Sequence, residues 1–400
     1  MNYRMNTSSP FLNASSFFTW TRKSVFLLLL SWGVILGGGC RGEAPSRPLS
    51  EAQQPTTSHA VSSLDFGRVT SILEQQDVLY FGHENGGISQ WKPQITLSSH
   101  PVRSWVAHDG AVRALTSIRN HAVRSVGADG SWADWTGEGR GVYRGRISGF
   151  HINALLPLEA EGSVAATDRG VVMRLEGTQR LWRSAGEHGR AAFALLRMGS
   201  SQVLSVGTDG RGRCWSLTDG RACGEAPLHQ GWITVALSID GQLLTAGRDG
   251  YIKIWGNLDE GLFQRFNSRP LEAGLALPEV DLSVHPNGIT QLKIAPVEDG
   301  FLVLSGGEDG SLALSRFTRS TTGSWDLTRL WLTQNEDFRP ILSLTLNVSL
   351  RRALISGGKS GQIVQISLPL DLKKAPRIQD NLIPQMKRVQ CFGDLSRCSP

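Results

Sequence analysis

The chain has 400 residues, of which 40% are hydrophobic, 19% are charged and 45 are glycine. That apolar share supports a packed core and excludes an intrinsically disordered chain. The many glycines, with almost no sustained 3.6-residue apolar periodicity, exclude a helical bundle and favour short strands joined by tight turns. The formal net charge of +6 is spread along the sequence without a dense basic run, so nucleic acid is not an expected partner.

The first segment with a character of its own runs from Arg22 and Lys23 through an apolar stretch, Val25 to Leu36, into Gly37, Gly38, Gly39 and Cys40. About a dozen apolar residues are too few to span a bilayer comfortably and match the hydrophobic region of an export signal. Small residues directly before a cysteine resemble a bacterial lipobox. The resemblance implies that Cys40 is lipidated and becomes the new amino terminus, anchoring the protein to a membrane. It departs from the family at Gly37, three positions before the cysteine, where Leu, Val or Ile is usual; Leu36 stands one residue earlier. An ordinary cleaved signal and an uncleaved anchor are the alternatives. Residues 1–39 are thus read as export signal and 40–58, rich in Pro, Ser, Thr and Gln, as a flexible tether. The expected location is the bacterial cell envelope, periplasmic or at the outer surface.

From residue 59 the sequence repeats. Seven eleven-residue stretches stack without gaps, ending at Trp91, Trp135, Leu175, Trp215, Trp255, Ser315 and Ile366, each with glycine five residues before its end. Those glycines, Gly86, Gly130, Gly170, Gly210, Gly250, Gly310 and Gly361, lie 44, 40, 40, 40, 60 and 51 residues apart. In the unit, a small-residue strand runs into Asp-Gly, whose glycine supplies the positive φ of a hairpin turn, and an alternating strand such as Tyr251 to Ile254 returns. A period near forty fits one four-stranded blade per repeat. The expected fold is an all-β, seven-bladed β-propeller of four-stranded antiparallel blades over 59–370, with 371–400 as a C-terminal tail. Rings of six or eight blades stay open.

These units resemble WD repeats. In that family a His before the inner strand, a Ser or Thr on the second strand, the turn Asp and a Trp on the third form a hydrogen-bonded set within each blade. The match is His108, Ser125, Asp129 and Trp135 in blade 2; His188, Ser205, Asp209 and Trp215 in blade 4; and His229, Thr245, Asp249 and Trp255 in blade 5. Blade 6 keeps His285, Ser305 and Asp309 but ends in Ser315. Blade 7 keeps Ser356 with Asp337 at the His position, and blades 1 and 3 depart further. Recurring buried sets of this kind are structural, because a hydrolase needs one exposed nucleophile. The resemblance also implies that the last blade is completed from the opposite chain end. The candidate is His59 to Phe66, expected to pair near Gln362 to Ile366.

Two insertions break the rhythm. Gly256 to Leu282 is more apolar than a loop requires, and packing back on its own blade is favoured over contact with a partner. The shorter, Gly323 to Asn335, contains Trp325 and Trp331. Besides Cys40 there are four cysteines, and an oxidising compartment would allow two bridges. Cys391 with Cys398 ranks first, and Cys214 with Cys223, facing across a hairpin, second.

The histidines are scattered, and neither a metal-ligand spacing nor a G-x-S-x-G elbow occurs, so no metal, cofactor or enzymatic activity is expected. The leading reading is a monomeric propeller that acts as an envelope-anchored scaffold for a protein partner. The partner is expected on the face carrying the Asp-Gly turns and the loops before the inner strands, at Arg190, Trp232, Arg248, Glu308, Arg339 and Lys359. An enzyme with an axial active site and a module binding glycan or another anionic polymer are the alternatives.

Overall fold

The turn chemistry of the repeat sets the first level of structure. The computed structural model describes residues 67–390 apart from 76–77, 93–100, 119–122, 159–161, 178, 185, 269–275, 299, 322, 335–338, 359–362 and 369–385. Gly250 adopts a φ of 83°, and a Cβ there would collide with the carbonyl oxygen of His285 in the next repeat. Glycine is therefore required twice, by backbone conformation and by close approach of a neighbouring loop. The other described repeat glycines share the positive φ, and Gly361 lies outside the described residues.

Between the turns the strands assemble into seven four-stranded antiparallel sheets, each built from four consecutive strands. Blade 1 holds β1 (Val69–Gln75), β2 (Val78–His83), β3 (Gly87–Trp91) and β4 (Arg103–Val106). Blade 2 holds β5 (Val112–Ser117), β6 (Val123–Gly127), β7 (Ser131–Trp135) and β8 (Gly141–Arg146). Blade 3 holds β9 (Ile152–Pro157), β10 (Gly162–Thr167), β11 (Val172–Glu176) and β12 (Gln179–Arg183). Blade 4 holds β13 (Ala192–Met198), β14 (Gln202–Gly207), β15 (Arg211–Ser216) and β16 (Ala222–Pro227). Blade 5 holds β17 (Ile233–Ile239), β18 (Gln242–Gly247), β19 (Tyr251–Asn257) and β20 (Val280–Ser283), with α1 (Leu262–Ser268) between the last two. Blade 6 holds β21 (Ile289–Val297), β22 (Gly300–Gly307), β23 (Ser311–Arg319) and β24 (Trp325–Gln334), and blade 7 holds β25 (Ile341–Asn347), β26 (Arg352–Gly357), β27 (Ile363–Ser367) and β28 (Met386–Gln390).

Each inner strand touches the inner strand of the next blade, and β1 touches β25, so the sheets close a seven-bladed propeller. The second strands β10, β18 and β26 are buried along their whole length, which is why they read as small and apolar residues apart from Gln242 and Arg352 at the first positions of β18 and β26. A sheet pressed between two others has no wet face. The outer strand β8 alternates instead, with Val142, Arg144 and Arg146 exposed and Tyr143 and Gly145 more covered.

The inner strands carry a device that the repeat pattern does not announce. Each has a bulge after its first residue, and in blades 1, 2, 3, 5 and 6 the bulged side chain hydrogen-bonds to the following blade. Thr70 Oγ1 donates to the carbonyl of Val112 at 2.6 Å, Thr234 to Ile289 at 2.7 Å and Thr290 to Ile341 at 2.8 Å. Arg113 donates to Asn153 Oδ1 at 2.5 Å, and Asn153 Nδ2 donates to Ala192 O at 3.0 Å. Polar rungs thus link blades 1 to 4 and 5 to 7, while in blade 4 the bulged Phe193 packs against the Trp232 ring at 5.9 Å.

Closure between blades 1 and 7 uses apolar packing and one buried ion pair. Val69, Ile72, Leu79, Phe81 and Trp91 pack with Leu354 and Ile363, and the Ile72 N–H donates to Ser343 Oγ at 2.9 Å. Arg352 and Asn347 both donate to Glu74 Oε1 at 2.8 Å. The outer position beside β27, expected for an N-terminal strand, is held by β28. The C-terminal segment read as a tail therefore contributes a strand. His59 to Phe66 lies outside the described residues, as do Cys40, the export signal and the tether.

Both insertions fold back on the ring. Leu262, Phe263 and Phe266 of α1 are buried, with Phe266 edge-on to Trp255 at 5.4 Å and Phe263 against Gly224 of blade 4. The shorter insertion is strand: β24 lengthens blade 6, and Trp325 Nε1 donates to Gln242 Oε1 of blade 5 at 2.5 Å.

Candidate functional site

The loops entering each inner strand and the turns joining each second and third strand lie at the same end of the strands, so they share one face of the ring. Beneath that face sit the His sets. In blade 5, Trp255 Nε1 donates to Thr245 Oγ1 at 2.8 Å, that hydroxyl meets His229 Nε2 at 2.8 Å, and His229 Nδ1 meets the Asp249 carboxylate at 2.9 Å. The order implies a neutral ring with its proton on Nδ1, so that every donor faces an acceptor. Blade 4 repeats the chain through Trp215, Ser205, His188 and Asp209 at 2.7, 2.6 and 2.9 Å.

Blade 2 uses one more residue than expected. Trp135, Ser125 and His108 follow the same order at 2.8 and 2.7 Å, but His108 Nδ1 meets Ser131 Oγ at 2.7 Å, and Ser131 passes the chain to Asp129. His108 and Asp129 themselves stand 3.5 Å apart. Ser311 bridges His285 to Asp309 in the same way in blade 6. The signal was present in the sequence, since these two turns read Asp-Gly-Ser where blades 4 and 5 have Arg211 and Tyr251. Blade 1 also has a set that the repeat pattern did not reveal, with His83 Nε2 and Trp91 Nε1 both meeting Ser89 Oγ at 2.8 Å. In blade 6, Ser315 takes the Trp position, fully buried, with its hydroxyl unpartnered among the described residues.

Electrostatics hold these groups in fixed states. Burial lowers His83 and His285 to about 4 and also lowers His188 and His229, with Asp209 and Asp249 opposing the last two shifts. Burial pushes Asp209 up, but His188 and Arg213 outweigh it and leave the carboxyl at about 2. Neutral rings and charged carboxylates with all their bonds internal stabilise a turn, whereas a general base needs a partner-free nitrogen within reach of substrate.

On the face itself the expected residues divide. Arg190 and Arg339 are exposed. Arg248 lies over the Trp232 ring at 4.4 Å and donates to Glu308 at 2.7 Å, making one cluster across blades 5 and 6. Burial lowers the Arg248 pKa while Glu308 opposes the shift. The guanidinium is thus engaged within the molecule rather than presented as free charge. Lys359 lies outside the described residues. A second Arg–aromatic cluster, which the sequence reading missed, lies on blade 3. Arg169 and Arg183 stand over the Phe150 ring at 5.3 and 5.7 Å, and Arg183 donates to Glu187 at 2.8 Å.

Cys214 and Cys223 form a disulfide with Cα atoms 5.1 Å apart. Cys214 pairs with Gly224 and Trp215 with Ala222, so Cys223 is the extra residue of a bulge that turns its sulfur toward Cys214. The pair ranked second from sequence is the one described, and Cys391 and Cys398 lie outside the described residues. Among the described residues no three His, Cys, Asp or Glu side chains gather as a metal site, and no helix is long and apolar enough to cross a membrane.

Residues 225–256, which contain the His229, Thr245, Asp249 and Trp255 set, match the family described as WD domain, G-beta repeat. No curated protein matches the sequence. Among solved structures, the computationally designed Ika8 protein is similar with a TM-score of 0.52 and 17% identity, over 78% of this chain and 98% of that one. The WD40 beta propeller domain of Doa1 is similar with a TM-score of 0.51 and 16% identity, over 64% of this chain and 80% of that one. The chain is a seven-bladed β-propeller whose fifth blade carries a WD-type repeat.

Proposed function

We propose that this protein is a binding scaffold of the cell envelope, held to a membrane through lipid on Cys40, which engages a protein partner on the face of the Asp-Gly turns. The observation that carries this reading is the state of the His sets. The four buried His–Asp sets are spent on their own blades, directly in blades 4 and 5 and through Ser131 and Ser311 in blades 2 and 6, while arginines and aromatic rings lie on the same face. Rigid turns presenting arginine and aromatic side chains are suited to recognition rather than to bond making. The Cys214–Cys223 bridge supports an oxidising compartment, and the apolar run ending at Cys40 supports export.

Site-specific photocrosslinking in living cells tests the face. A photoreactive residue at exposed Arg190 should capture a discrete protein band, whereas one at Leu350, on the turn joining β25 and β26 at the opposite end of the strands, should not. Capture from Leu350 alone would reverse the assignment. Cys40→Ala should move the protein from the membrane to the soluble fraction, and retention in the membrane would remove the lipid anchor from the reading.

A further inference from the structure

The two Arg–aromatic clusters of the face differ in what their guanidinium groups still need. At Trp232, Arg248 Nη2 donates to Glu308 Oε1, so a carboxylate from this chain already engages the guanidinium. At Phe150, Arg169 is exposed, and among the described residues no hydrogen bond or ion pair engages it. Attraction to a ring uses no hydrogen-bond acceptor, so it orients the Arg169 guanidinium while leaving its donors unmatched.

The reason for this difference lies in the repeat. Blades 2, 4, 5 and 6 have aspartate directly before the turn glycine, and each such carboxylate turns inward to its His set. Blade 3 has Arg169 at that position, before Gly170, and its His151 is exposed at the surface rather than set beneath the turn. With no imidazole to bind, the turn residue faces outward. Asp168 holds the turn instead, accepting the His151 N–H at 2.9 Å. A position that gives up its structural role in one copy of a repeat is released to recognise something else.

We propose that Phe150, Arg169 and Arg183 form a carboxylate-binding site on blade 3 that receives an acidic segment of the protein partner. The proposal rests on the scaffold reading and names where on the face, and by what chemistry, the partner is held. Glu308 on Arg248 is the internal precedent, showing on this same face the group that completes an aromatic-backed guanidinium. A carboxylate matches the fork through two parallel charge-assisted hydrogen bonds, and Arg183, already shared with Glu187, adds charge to the same ring.

The test uses the full chain in detergent and a fluorescein-labelled hexaglutamate peptide, followed by fluorescence anisotropy at low salt. Wild type should bind the peptide, and Arg169→Gln should weaken binding about tenfold or more. Arg169→Lys should fail to restore it, because a point charge does not reproduce the fork. Arg319→Gln, at an Arg–aromatic pair with Trp325 on the opposite face, should leave binding unchanged, and unaltered melting temperatures would show that the variants are folded. The proposal is overturned if wild type does not bind the peptide, if Arg169→Gln binds like wild type, or if Arg319→Gln loses as much. It is also overturned if inorganic phosphate displaces the peptide at equal concentration, which would mark a general anion site. Persistent crosslinking from position 190 alongside any of these outcomes would sink this site and leave the scaffold reading standing.

Discussion

Glu74 on the innermost strand of blade 1 accepts a hydrogen bond from Arg352 of blade 7 at 2.8 Å, with both side chains less than a tenth exposed. The two residues are 278 positions apart, and their contact joins the beginning of the described ring to its end. Asn347 donates to the same oxygen. The blade interface that every propeller must close is therefore held by a buried charge pair together with the apolar packing of Phe81, Leu354 and Ile363.

Removing one partner of that pair leaves the other charged and buried. Glu74→Ala should lower unfolding free energy by about 3–5 kcal/mol, measured by denaturant titration. A loss comparable to that of an exposed pair, such as Arg183 with Glu187, would show that closure does not depend on it.

Trp255 is fully buried, bonds to Thr245 and packs edge-on against Phe266 of the inserted helix. Trp255→Ala should cost about 3–5 kcal/mol. Ser315 occupies the matching position of blade 6 with an unpartnered hydroxyl, so Ser315→Ala should be neutral or stabilise by up to about 1 kcal/mol. The same denaturant titration compares the two.

The rungs around the axis are testable one at a time. Thr234 shares its hydroxyl between Ile289 O and Ala246 O at 2.7 and 3.2 Å. Thr234→Val keeps the shape and leaves the Ile289 carbonyl unpaired, and should cost about 1–2 kcal/mol in chemical unfolding.

Acid should destabilise the protein in two windows. Burial lowers His83 and His285 from an ordinary 6.5 to about 4, so between those values the unfolded chain takes up protons that the folded chain refuses. Stability is then full above 6.5 and falls as pH drops toward 4, by on the order of 3 kcal/mol for each ring. Asp209, held at about 2, contributes stability that is present above its unfolded value and is lost as pH falls through 2. Melting temperature against pH should show the first slope, and His83→Gln with His285→Gln should flatten it.

Cys214 and Cys223 are nine residues apart, and opening so short a loop should cost about 2–3 kcal/mol in the double serine variant. Intact mass before and after reduction under denaturing conditions checks that the bridge is present, through the gain of two hydrogens.

Much of this fold was legible in the amino-acid order because a propeller is written in local chemistry repeated at a fixed interval. Gly86, Gly130, Gly170, Gly210, Gly250 and Gly310 mark turns whose positive φ is a property of one residue, and the small, apolar strands before them are short enough to read directly. The His sets of blades 2, 4 and 5 were legible for the same reason, being patterns within one repeat and the loop leading into it. Ser131 and Ser311 were missed because their role depends on hydroxyl reach in three dimensions.

Sequence alone determined the repeat, the strand order within a blade and the residues of the complete His sets, and it left the Cys214–Cys223 bridge as one of two open pairings. Only the tertiary structure decided how the blades are joined: the bulged Thr70, Thr234 and Thr290 bonding to the next inner strand, Glu74 meeting Arg352, β28 lying beside β27, and Arg248 neutralised by Glu308 while Arg169 is not. The division has a physical cause. Conformation at a turn follows from the residues that make it, whereas a contact between blades follows from which surfaces the closed ring brings together, and no local pattern encodes that meeting.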